Sequence, residues 1–465
     1  MSLNSFSFLA FFSLLLLALF ICGKIGQRLQ IACILCFSYL FIYRYDWRFS
    51  VCIFIYTILM YLFGQMMDGT YSVKKRRILL WGGGIASVLM LCYFKYADFF
   101  VQSICRVFGE KNIALHIMLP IGISFYVFSG LSYLIDIYWR RYHAEKNLLD
   151  FALYIALFSK LTAGPIVRAE EFLPQVKSYR GLRLDKFSEG IQIFVFGLFK
   201  KIVLADHLCV FVDDVFSAPA AFDTFTTILA VISYSFQIYF DFSGYSDMAI
   251  GISKAIGFDF PPNFNLPYLA GNSSEFWKRW HISLSSWFQE YLYIPLGGSR
   301  KGEARTYFNL LTVMLVSGFW HGAGWTFIFW GFLHGITNCV FRFFSKKYKI
   351  KFECMPLNFL VATIFWVAFR ADCIDTAFAV WKGMFTLHSG ITQIYSWTFF
   401  AGFCLLFSSV AAIISSKKKC LKMVNGFYPI MDLSKLSSLI LFFTFIGLTV
   451  IMGYFGNNAF IYGKF

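Results

Sequence analysis

Two histidines stand where the residue types could do chemistry. His281 lies in Ser274-Glu275-Phe276-Trp277-Lys278-Arg279-Trp280-His281-Ile282-Ser283-Leu284-Ser285, and His321 in Ser317-Gly318-Phe319-Trp320-His321-Gly322-Ala323-Gly324-Trp325. An imidazole titrates near neutrality, so it can take and return a proton at working pH. His321 sits in a strongly apolar stretch, where an ionisable group is a functional residue by default. The alternative for it is a neutral imidazole bonded to a neighbouring helix. Small residues on both sides would let backbones, or a thin substrate, come close.

Around His281 the spacing predicts a helix from about Glu275, with Ser274 as its cap. On that helix Lys278, His281 and Ser285 share one face. Trp277 and Trp280 beside Lys278 and Arg279 suit a helix near a membrane interface. Such a helix could merely bind lipid headgroups, but an anchor needs no imidazole. Leu296-Gly297-Gly298-Ser299-Arg300 could form a backbone nest for phosphate, with Arg300 adding charge. Asp241 and Asp247, among aromatic residues, could pair with the basic residues of the 277–280 helix or orient an imidazole. His334 would lie about 220° around an unbroken helix from His321. It is therefore read as structural.

The elements that must position these groups are membrane helices. The chain is 58% hydrophobic and only 14% charged, far from the composition of a soluble domain. Apolar runs at 6–22, 51–67, 78–93, 191–204 and 439–452 are continuous rather than alternating. A helix of roughly 20 such residues crosses about 30 Å of hydrocarbon. The expectation is an all-α polytopic membrane protein with about 11–13 membrane segments. It is treated as one domain over 1–465, with a functional core near 149–345 where polar residues interrupt the apolar stretches. The first run lacks a basic leader and a small residue before Cys22, so it reads as an uncleaved span.

The net charge of +16 raises nucleic acid as a partner. The basic residues instead recur in short loops between spans, at Lys24, Arg28, 74–77, Arg140 and Arg141, and again at 417–419. That is the positive-inside pattern, and it puts both termini outside. Cys33 and Cys36 lie within a span without a second pair, so no zinc site or disulfide is expected.

The stretches 277–285, 293–300 and Trp320-His321-Gly322 resemble the hallmark segments of the membrane-bound O-acyltransferase (MBOAT) family. Leu119-Pro120-Ile121-Gly122-Ile123-Ser124-Phe125, Ala163-Gly164-Pro165-Ile166-Val167-Arg168 and 239–247 extend the resemblance over nearly the whole chain. It is closest to the bacterial branch that O-acetylates envelope polysaccharides.

The resemblance implies a ring of helices around a transmembrane tunnel in the bacterial inner membrane. It implies His321 as catalytic residue and His281 as its partner, and acetyl-CoA as cytoplasmic acyl donor with no metal. It also implies an extracytoplasmic SGNH-type partner acting on a polysaccharide such as alginate or peptidoglycan. On that reading Lys278, Arg279 and Arg300 hold the CoA phosphates, with Asp241, Asp247 and Ser285 supporting. Tyr462, near the carboxyl terminus, is a candidate acyl relay, or a residue that only sits at the interface. The rivals are a transporter of a lipid-linked or anionic solute and a non-catalytic scaffold. Transporters commonly show internal repeats, and none is evident here.

Overall fold

The computed structural model describes residues 1–109, 113–162, 164–349, 353–394, 422–424 and 428–456. Apart from one antiparallel ribbon of three-residue strands, β1 (Lys422–Val424) and β2 (Tyr428–Ile430), the described chain consists of helices and their connections. Contacts divide it into two compact units: Met1–Ile191 with Ala249–Pro261, and Gln192–Met248 with Pro262–Phe465.

The first unit carries α1 (Phe6–Gly23), α2 (Gln27–Tyr43), α3 (Trp47–Asp68), α4 (Val73–Leu91), α5 (Ala97–Phe108), α6 (Ile123–Tyr138), α7 (Leu148–Ala156), α8 (Phe158–Leu161) and α9 (Ala169–Lys177). Ser5, Asp46, Ser72 and Asn147 start helices by accepting first-turn N–H groups on their side chains, which satisfies donors the helix cannot. Leu14, Leu17, Phe54 and Trp81 are largely exposed along these helices. In hydrocarbon such faces are solvated, provided the backbone bonds within its own helix.

In chain order there follow α10 (Leu184–Phe199), α11 (Asp206–Ser217), α12 (Thr224–Ala255), α13 (Ser273–Arg279), α14 (Ile282–Phe288), α15 (Glu303–His321), α16 (Trp325–Tyr348), α17 (Met355–Arg370), α18 (Ile374–Phe385) and α19 (Leu436–Met452). By length and composition α1, α3, the stretch Val73–Phe108, α12 and α16 can cross a membrane; α2, α6, α17 and α19 are shorter apolar helices. The run at 191–204 is not one plain span, because α10 passes into a π-helical stretch, Lys200–Ala205, before α11. Within the second unit glycines let helices touch. A Cβ on Gly197 would stand 2.5 Å from the Gly244 carbonyl oxygen, and one on Gly244 2.7 Å from that of Gly197.

The α15–α16 hairpin depends on the same device. A Cβ on Gly318 would strike the Phe327 carbonyl, and one on Gly331 the Met314 carbonyl. These small residues therefore serve backbone approach. Gly318→Leu or Gly331→Leu should sharply reduce the yield of folded, monodisperse protein in detergent. Gly84→Ala, where a Cβ meets nothing within 4 Å, should leave yield unchanged or raise it, since alanine favours the helix. Size-exclusion profiles of the three variants check this.

Candidate active site

Each expected site residue that the structure describes lies in the second unit. Asn272, rather than Ser274, caps α13, its Oδ1 accepting from the Glu275 N–H at 2.9 Å. The expected single helix through His281 does not form. Trp280 is extended (φ −104°) and His281 is left-handed (φ 45°, ψ 56°), beginning α14. The cause lies in the loop after Pro261 and Pro262. Asn265 donates its N–H to the Arg279 carbonyl at 2.9 Å, and the Ile282 N–H donates to the Asn263 carbonyl at 2.9 Å. Backbone groups that would have continued the helix are bonded to this loop instead. Left-handed backbone in a residue with a Cβ costs on the order of 1 kcal/mol or more, and it persists where its surroundings fix it. Lys278 and Ser285 consequently sit on different helices, with His281 at the break.

His321 closes α15, and the bend Gly322–Gly324 separates it from α16. His281 and His321 are 1% and 3% exposed. Their ring centroids lie 6.4 Å apart, too far for a direct N–H···N bond, which needs nitrogens within about 3.2 Å. Phe242 stands edge-on to His281 at 4.7 Å, and Trp320 faces both imidazoles, at 6.0 Å and 5.0 Å. Trp330 and Phe369 enclose His321 at 5.2 Å and 5.5 Å. The side chain of Asn263 holds His281: its Oδ1 is 3.2 Å from His281 Nδ1 and accepts from Ser283 N–H at 3.2 Å and Ser283 Oγ at 2.9 Å.

The expected phase between His321 and His334 does not apply, because the helix is broken between them. Both rings pack on Trp330, His334 at 5.0 Å. Trp280 is not interfacial; it is fully buried and 4.8 Å from Trp366. Nor do Asp241 and Asp247 pair with the 277–280 segment. The Gly197–Gly244 crossing brings them to the basic pair at the end of α10. Asp241 lies 2.6 Å from Lys201, which also meets Asp206 at 2.7 Å; Asp247 lies 2.6 Å from Lys200 and accepts from Tyr428 Oη at 2.9 Å.

A cleft of about 800 Å³ opens beside the buried rings, lined by Trp277, Lys278, Ser285, Tyr293, Arg342 and Lys346 among others. Neither His281 nor His321 lines it, but Trp277 does, and its ring is 5.6 Å from that of Trp330. Of the three expected phosphate-binding residues only Lys278 reaches this cleft. Arg279 is bonded to Glu275 at 2.6 Å. The Gly271 N–H first, and Arg279 after it, hold the Glu275 carboxyl below its usual range. Arg300 is exposed beyond the glycine turn, whose Leu296 and Gly298 carbonyls are taken by Arg305 and Asn309. Ser285 donates to the Trp280 carbonyl at 3.1 Å and lines the cleft. Tyr462 falls outside the described residues.

Sequence reasoning missed Asn263, Arg342 and Lys346. The two cations are four residues apart on α16, a spacing that puts them on one helix face, and both reach Glu303, at 3.3 Å and 2.8 Å. That spacing was the available signal. Asn263 gave none beyond its place after two prolines.

Comparison with known proteins adds the following. The model of the membrane-bound O-acyltransferase family matches residues 140–374. The chain is 45% identical over 314 residues to the probable alginate O-acetylase AlgI of Azotobacter vinelandii, covering 65% of this chain and 62% of that protein. It is 41% identical over 372 residues to the probable alginate O-acetylase AlgI of Pseudomonas putida, covering 78% and 76%. It is 40% identical over 345 residues to the peptidoglycan O-acetyltransferase of Helicobacter pylori, covering 67% and 66%. The match thus spans less than two thirds of the first and third relatives and about three quarters of the second.

Proposed function

The chain belongs to the membrane-bound O-acyltransferase family, and we propose that it moves an acetyl group from acetyl-CoA at the cytoplasmic side of the bacterial inner membrane toward an extracytoplasmic polysaccharide. It is a multi-pass membrane acyltransferase. The relatives named for alginate and peptidoglycan O-acetylation support acetyl as the group and a glycan as the final acceptor. An extracytoplasmic SGNH-type protein is the partner that would complete delivery, with both termini of this chain on its side of the membrane.

The observation that carries the mechanism is the pair of buried imidazoles, 6.4 Å apart, next to a cation-lined cleft. The donor's phosphates rest on Lys278, Arg342 and Lys346, where charge-assisted contacts are strongest. The acceptor hydroxyl oxygen attacks the thioester carbonyl carbon while His321 takes its proton. The tetrahedral oxyanion collapses, the C–S bond breaks, and His321 returns the proton to the thiolate, releasing CoA. His281 orients the substrates across the gap.

Purified protein in proteoliposomes should release CoA from acetyl-CoA in the presence of an acceptor hydroxyl, measured by thiol titration. Lys278→Ala and Arg342→Ala should each raise KM for acetyl-CoA by about tenfold, one charge-assisted contact's worth, with kcat little changed. No thioester cleavage by the wild type under any acceptor would sink the reading.

A further inference from the structure

We infer that Asn263 is a positioning residue that locks His281 as the Nδ1–H tautomer, so that the neutral His281 meets its substrate as a hydrogen-bond acceptor. The inference rests on the proposed function only for what the substrate is. The tautomer itself follows from hydrogen bonding.

An asparagine side chain can present either its oxygen or its NH2 to a given neighbour. Here the backbone decides. The Ser283 N–H is a donor and nothing else, and it lies 3.2 Å from Asn263 Oδ1. The atom facing it must be the oxygen. Rotating the amide would set two donors against each other. The same oxygen accepts from Ser283 Oγ at 2.9 Å and stands 3.2 Å from His281 Nδ1. An amide oxygen only accepts, so Nδ1 carries the hydrogen. The amide nitrogen of Asn263 is buried and bonded to none of the described residues. The bonds to its oxygen therefore set the side chain's orientation.

In a neutral imidazole one nitrogen donates and the other accepts. With Nδ1–H committed to Asn263, Nε2 holds a lone pair. Neutral His281 then cannot donate from Nε2 to a developing oxyanion. The group it holds is a hydrogen-bond donor, a hydroxyl or amide hydrogen of a bound substrate, and oxyanion stabilisation falls to other donors. The left-handed backbone at His281 and the Ile282 N–H bond to the Asn263 carbonyl fix the ring's starting point on the same loop. The rings facing His281 are Phe242 of α12 and Trp320 and His321 of α15. Of these His321 alone titrates, so an acid limb can be assigned by comparing variants of the two histidines.

Solid-state ¹⁵N spectra of histidine-labelled protein in lipid bilayers give the direct test. The chain has 7 histidines, and the His281→Gln spectrum identifies the signal of interest. A neutral His281 protonated at Nδ1 is expected; one protonated at Nε2 overturns the inference, whatever the activity. Kinetics give the second arm. Asn263→Leu should cut acetyl transfer by about 10–100-fold, the loss seen when the partner orienting a metal-bound histidine is removed.

Asn263→Asp keeps the acceptor and should recover most of that loss. A carboxylate beside Nδ1–H favours the imidazolium, so protonation of His281 begins at higher pH. The acid limb of the rate profile should therefore move up by about one pH unit or more. An Asn263→Asp rate as low as that of Asn263→Leu, with the limb unmoved, overturns the inference. Full transfer by His281→Ala would count instead against the proposed site, since the tautomer is read without turnover.

Discussion

With His321 as the proposed proton acceptor, His321→Ala should lose about 10²–10⁴-fold in acetyl transfer, the contribution such a group makes. On the proposed reading the loss should appear in kcat rather than in KM for acetyl-CoA, because the cleft assigned to the donor's phosphates is not lined by His321. The control concerns packing. The imidazole is enclosed by Trp320, Trp330 and Phe369 at 5.0 Å, 5.2 Å and 5.5 Å. Cutting it to a methyl opens a void among large rings that cannot collapse easily.

His321→Gln fills more of that space and offers no base near neutrality. It should melt close to the wild type and still fail in transfer. Initial rates of CoA release in proteoliposomes, beside melting curves of the same samples, separate chemistry from folding. A His321→Ala protein that retains full transfer would remove His321 from the reaction.

What could be read from the sequence divides along a physical line. The membrane helices were legible, and the two histidines stood out as candidates, because each is a local signal. A continuous apolar run has few homes outside a bilayer, and an imidazole in such a setting needs a reason. The break at Trp280 and His281 was not legible. It is made by Asn263 and Asn265, residues distant in sequence that compete for backbone groups at the end of α13. Local spacing favoured an unbroken helix, and the tertiary bonds overrode it.

The partners of Asp241 and Asp247 were hidden for a related reason. Lys200 and Lys201 reach them only because two glycines let α10 and α12 touch. Nothing in the spacing of either segment announces that crossing. The cleft is an intermediate case. Lys278 was visible beside His281, whereas Arg342 and Lys346 belong to a different helix and join it only by folding.

That crossing sets up the largest expected effect on stability. Lys201 is 1% exposed and lies between Asp206 at 2.7 Å and Asp241 at 2.6 Å, both carboxylates also buried. Taking such charges out of water costs several kcal/mol each, offset only while the opposite charge stays in place. Lys201→Met keeps much of the side-chain volume and deletes the ammonium, leaving two carboxylates close together in a low-dielectric setting. The cost should be about 3–5 kcal/mol, as for breaking other buried pairs. It should appear as a large fall in melting temperature and in folded yield.

If electrostatics is the cause, removing the surplus negative charge restores stability. The Lys201→Met, Asp206→Asn, Asp241→Asn triple variant should melt well above Lys201→Met alone, although it carries more substitutions. Arg183→Ala supplies the contrast. Its partner Asp185 lies 2.6 Å away, but both side chains are more than half exposed, and water screens such pairs. It should melt with the wild type. A triple variant less stable than Lys201→Met would show that packing by the aliphatic stem, rather than the buried charges, holds α10 against α12.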